Sequence, residues 1–189
     1  VAFRLEEIGN DEQTQRRALK RLAELIMKGM RDPAVVRAAR AITKGCDARD
    51  DRCELEAIYD AVKNGTDTVP GMEDGFRYVA DPQTTDYFIG ASRILEECKQ
   101  GACAGDCDES TVLVASLAGA VGFKVGARAW GPKPNVNEFV HVMPVAALPK
   151  KGPHPASYAG HNMDVTVPEA YVGWSPAKGR VLTYWIVEG

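Results

Sequence analysis

Apolar positions recur at helical spacing along the first third of the chain and at strand spacing along its last part. In residues 11–30, Leu19, Leu22, Ala23, Ile26 and Met30 share one face, with Arg and Lys opposite, which predicts an amphipathic helix. Asp32-Pro33 supplies an N-cap and a first-turn proline for a second helix, AVVRAARAI, ending near Gly45. Cys46 to Cys53 reads as a polar, charged loop. Residues 54–64 form a third helix with Leu55, Ile58, Tyr59 and Val62 inward and Gly65 as its stop. Pro70, Gly71, Gly75 and Asp81-Pro82 break up residues 65–90, leaving FRYVA as a short strand, and 91–98 as a short helix follows. The glycine-bearing turn KQGACAGDCDES then opens a helix at about 108–121 with one broad apolar face and small residues for close packing against a sheet.

After Gly122 the period switches to two, with strands expected near 123–130, 137–146 and 161–167 and a last one in RVLTYWIV. Helices first and strands last predict an α+β fold, the helix at 108–121 packed on an antiparallel sheet. Pro144 removes a ladder N–H, so its strand is expected to be at an edge or bulged there. Phe139, His141 and Met143 should share one face of it, with Val140 and Val142 on the other.

The 189 residues suit one domain, or one with an appendage. A net charge of −3 carries no basic arm, so nothing calls for nucleic acid or an anionic membrane as partner. The opening VAFRLEEIGN lacks a secretory pattern, and no apolar run approaches the ~20 residues of a membrane span. A cytoplasmic setting is expected, unless a leader was removed or the chain leaves by a non-secretory route, as into a virion. Cys46, Cys53, Cys98 and Cys103 fall in two close pairs with Cys107 left over. Free thiols, disulfides and a four-cysteine zinc site all stay open, although the spacing within each pair is wider than structural zinc sites usually show.

Cys107 stands where the glycine turn meets the apolar helix. Partial positive charge and unpaired N–H groups at a helix start stabilise a thiolate and can bind an oxyanion. Gly105 allows a tight turn there and leaves room for a substrate. Asp106, Asp108 and Glu109 oppose the thiolate, so a positive partner is required. His141 is flanked by apolar residues on its strand, with His161 and His154 as rivals. Asp164 sits among apolar residues in MDVTV and needs a partner for its charge.

The string AGDCDESTVLVASLAGAVGFKV is similar to the nucleophile segment of transglutaminase-like proteins, where a Gly-x-Cys turn opens a Leu- and Ala-rich helix. FVHVMPV looks like the family's histidine strand, and HNMDVTVPEAYVGWSP like its acid-bearing segment. IYDAVKN, RYVADPQ and the trailing Gly173-Trp174-Ser175-Pro176 resemble compact phage and prophage members. The resemblance covers roughly residues 54–178. It implies a papain-like core over 65–189, with 1–64 as a helical docking segment or subdomain. Cys107 would be the nucleophile, His141 the base and then acid, and Asp164 the orienter bonded to the ring's Nδ1. The Cys107 backbone N–H would hold the oxyanion, with Gln100 a second candidate by analogy to papain-like peptidases. The implied chemistry is acyl transfer or amide hydrolysis on a peptide or protein, needing neither cofactor nor metal. The alternative is a non-enzymatic virion or assembly component that keeps the fold and docks on phage structural proteins.

Overall fold

A computed structural model of the chain describes residues 5–6, 12–80, 86–135, 138–156 and 159–186, with backbone alone at 5–6 and 86–87. β1 (Leu5–Glu6) precedes three helices: α1 (Glu12–Gly29), α2 (Pro33–Thr43) and α3 (Asp51–Asn64). Asp32 caps α2 by accepting from the Ala34 N–H at 2.8 Å, with Pro33 opening the helix as its missing N–H permits. α3 starts three residues earlier than the apolar spacing indicates, because Asp50 accepts from the Cys53 N–H at 3.0 Å and caps it. Cys53 is therefore helical, not part of a loop.

Short strands β2 (Arg77–Tyr78) and β3 (Asp86–Tyr87) lead to α4 (Ala91–Lys99) and β4 (Ala104–Gly105). β1 pairs with β3, and β2 runs parallel to β4. The central helix α5 (Cys107–Ala120) is followed by β5 (Val125–Gly131), β6 (His141–Ala146), β7 (His161–Asn162) and β8 (Arg180–Trp185). These last four form one sheet in the order β7-β6-β5-β8, antiparallel at every pairing. The architecture is α+β, as the pattern of elements predicts.

One expectation changes, and the two alternatives for Pro144 resolve to the edge. The segment 161–167 is a strand only at His161–Asn162, so Asp164 lies beyond the ladder. The β5–β6 register passes through Pro144, opposite Ala127, without a bulge. β7 reaches only Val145 and Ala146, so Pro144 stands where the outer edge of β6 opens.

Residues 109–119 of α5 are buried on every side, not along one face. The reason is the packing: α1, α2, α3 and α4 cover the faces of α5 that β5 and β6 do not. Its small residues serve the helices as much as the sheet. Ser116 lies so close to α1 that a Cβ on Gly29 would come within 2.4 Å of its hydroxyl. One hydrophobic core runs from Leu19, Leu22 and Ile26 of α1 through Leu55 and Ile58 of α3 to Leu113 and Leu117 of α5 and Ala127 of the sheet. This core crosses the expected boundary at residue 64. Among the described residues no helix is long and apolar enough to cross a membrane.

Candidate functional site

The turn before α5 is fixed from three directions. Its backbone pairs with β2, the Arg77 N–H donating to Cys103 O at 2.9 Å and the Val79 N–H to Gly105 O at 2.7 Å. A disulfide joins Cys98 at the end of α4 to Cys103. Asp106 then caps α5, its carboxylate accepting from the Asp108 N–H at 2.7 Å while the Glu109 carboxylate accepts from the Asp106 N–H at 2.8 Å. This reciprocal capping box places Cys107 at the first helical position, half-buried and outside both disulfides. Gly105 has a different reason from the one expected. A Cβ there would come within 2.8 Å of the Glu109 carboxylate and 3.0 Å of the Phe76 ring. The missing side chain admits the cap, not a substrate.

At the first residue of β6, the His141 Nε2 lies 2.6 Å from an Asp164 carboxylate oxygen. The Asp164 side chain is 2% exposed and that of His141 20%. Asp164 is held in turn by Thr166, whose N–H and hydroxyl donate to its other oxygen at 2.9 and 2.7 Å. Burial alone would raise this carboxyl. The hydrogen bond and charge of His141 and the bonds from Thr166 outweigh it and hold Asp164 below the ordinary value. An ionised carboxylate only accepts, so Nε2 carries the ring proton toward it. The expected Nδ1 contact is thereby corrected: Asp164 engages Nε2, and Nδ1 is the nitrogen left for other work.

Topology relates the pair to Cys107. Fourteen residues of α5 span about 21 Å, and seven of β5 return a similar distance. Helix and strand join through a short turn and pack on one another. The start of α5 therefore faces the end of β5, where Trp130 pairs with His141. Among the described residues, the hydrogen bond that the His141 ring makes is the one to Asp164.

The other candidates fall elsewhere. Gln100 is the C-cap of α4, its amide donating to the Glu96 carboxylate at 3.3 Å on the surface. Cys46 bonds Cys53 and Cys98 bonds Cys103, which uses all four sulfurs and overturns both the zinc and the free-thiol alternatives for them. His161 sits in β7 with a buried Nδ1 that has no partner among the described residues; burial, then the charge of Arg52, hold its ring below the ordinary value. His154 is exposed and packs edge-on to Trp185. Asp106, Cys107 and Asp108 bring ligand atoms within 4.8 Å of one another, as consecutive residues at a capped helix start do, and no metal is assigned to them. A cavity of about 450 Å³ lies at the opposite end of α5, against Gly119, Phe123, Lys124 and Lys150, away from Cys107.

Thr166 was missed on sequence, though Asp164-x-Thr166 is the spacing of an Asx turn. Comparison with protein-family models, curated proteins and solved structures finds no match to this chain.

Proposed function

We propose that the chain is a cysteine-dependent enzyme of transglutaminase-like kind, with a papain-like core, that acts on amide or acyl carbonyls of peptides or proteins. The observation that carries this is the His141–Asp164 contact of 2.6 Å, with the acid buried and the imidazole part-exposed. A buried carboxylate on an imidazole stabilises the imidazolium that a thiolate needs. Cys107, at a capped helix start at the same end of the sheet, is the matching nucleophile.

The Cys107 thiolate attacks the carbonyl carbon, and the electron pair of the C=O bond moves to oxygen. The backbone N–H of Cys107 is the oxyanion donor in this reading, with Gln100 at the end of α4 as the second candidate. Collapse breaks the C–N bond as the imidazolium gives its proton to the leaving amine, and a thioester remains. Water or a second amine, deprotonated by His141, resolves it. Water gives hydrolysis, an amine a cross-link. The two disulfides favour an oxidising setting over the expected cytoplasm.

Hydroxylamine with a panel of peptide and glutaminyl amides tests the reading. Hydroxamate production by the wild type and none by Cys107→Ala supports it. No product on any substrate, with Cys107 alkylated no faster than a denatured thiol, leaves the assembly component as the better account.

A further inference from the structure

We infer that Tyr59 and Lys63 of α3 are positioning residues, which hold the backbone of the 164–170 turn so that the Asp164 carboxylate stays on His141. The inference rests on the proposed catalytic reading and extends the site into the N-terminal helices.

Asp164 has no strand to fix it, since β7 ends at Asn162. The Met163 N–H donates to Pro144 O at 2.9 Å and ties the segment to β6 on one side. On the other side the bonds come from α3. The Tyr59 hydroxyl lies 2.9 Å from the Asp164 carbonyl and 2.7 Å from that of Ala170, so one O–H spans both ends of the turn. Lys63, one helical turn on, donates to the Tyr59 oxygen at 3.0 Å and to the carbonyls of Val167 at 3.1 Å and Pro168 at 3.0 Å, and also to Ala170. Three ammonium hydrogens thus serve four acceptors, and among the described residues Lys63 has no carboxylate partner. A whole positive charge is spent on organising one turn.

The arrangement keeps itself in one protonation state. Burial, then the charges of Asp164 and Asp60, push the Tyr59 hydroxyl above its ordinary value, so the phenol stays a donor. Thr166 fixes the carboxylate and α3 fixes the backbone that bears it, so one carboxylate oxygen is held at the imidazole. Other charged groups at this end are Asp106, Asp108 and Glu109 at the start of α5, which disfavour a thiolate and make a well-placed imidazolium matter more.

Two readouts on folded variants separate this inference from the catalytic reading. The first is the downfield proton resonance of His141 Nε2–H and its exchange with water, which reports the Asp164 contact whether or not Cys107 is catalytic. Tyr59→Phe should quicken that exchange by on the order of tenfold, the upper scale of what one hydrogen bond contributes. Lys63→Met should act in the same direction, and Lys63→Arg, which keeps donors and charge, should restore it. Should Tyr59→Phe fail to fold, the part-exposed Lys63 pair of variants carries the measurement. The second readout is the pH profile of Cys107 alkylation, which should move toward an ordinary thiol, with a midpoint near 8.5, in Tyr59→Phe. An unchanged His141 resonance in folded Tyr59→Phe and Lys63→Met overturns the positioning role while a depressed wild-type thiol profile still supports catalysis. A changed resonance beside an ordinary wild-type thiol profile rejects the catalytic reading instead.

Discussion

Two polar clusters stand on the same sheet and are finished differently. Arg128 of β5 is buried, and its Nε donates to the Thr183 hydroxyl at 2.8 Å, one terminal nitrogen to the Asn162 amide oxygen at 2.6 Å and the other to Ala159 O at 2.6 Å. Burial lowers its pKa, yet a guanidinium keeps its proton, so the charge is locked in and tied to β8, β7 and the loop before β7. His141 has one ring nitrogen engaged at 2.6 Å and makes no other hydrogen bond among the described residues, with a fifth of its side chain exposed. Donors spent inward on several elements mark a polar group that holds the fold. His141 is gripped on one side and reachable on the other, which is the arrangement the proposed catalytic reading requires.

The comparison breaks first on activity. Cys107→Ala should lower turnover by at least about 10⁴-fold, toward the roughly 10⁶ that loss of a nucleophile costs elsewhere, with melting temperature nearly unchanged. Steady-state rates and a thermal scan check both halves. Asp164→Asn keeps the shape and the Thr166 bonds but removes the charge that the imidazolium needs. Its rate should fall between about tenfold and the roughly 10⁴-fold cost in a serine triad, with folding retained. A rate unaltered by this change would place the acid elsewhere.

Arg128→Met tests the other cluster. It leaves the Asn162 and Ala159 oxygens without their donor, at about 1–3 kcal/mol each. Denaturant unfolding should show a loss of about 3 kcal/mol, roughly a hundredfold in the folding constant, while the Cys107 alkylation profile stays put. The smallest effect is in acid. The carboxyl of Asp164 is depressed in the folded chain, so its stabilisation is fully present above the unfolded value, near 3.8. It is lost as pH falls through the lower folded value. Unfolding curves of wild type and Asp164→Asn should therefore differ at neutral pH and converge in strong acid.

Much of this was legible along the chain. Asp32-Pro33 and the Gly-Asp-Cys turn are local signals, and each produced the helix start they encode within a residue or two. Cys107 stood out by its place where a glycine turn meets a helix, and His141 and Asp164 because a polar group among apolar neighbours needs a reason. What escaped depends on distance in sequence. Tyr59 looks like any inward-facing helical residue, and its bond to Asp164 spans 105 positions. The burial of α5 on every face follows from how many helices surround it, which no window of α5 reports. The choice of Nε2 over Nδ1 is set by where the 163–170 segment leaves the sheet, at a strand two residues long that the alternation of HNMDVTV overstated.

The most direct test is the rate of Cys107 alkylation by iodoacetamide between pH 4 and 10, followed by intact mass, in wild type and His141→Ala. The disulfides of the other four cysteines leave Cys107 as the thiol that responds. The account predicts a wild-type midpoint at least about one unit below the ordinary 8.5, and a return toward 8.5 when the imidazole is removed. A wild-type midpoint near 8.5, or one indifferent to His141→Ala, would contradict the claim that His141 and Asp164 activate Cys107.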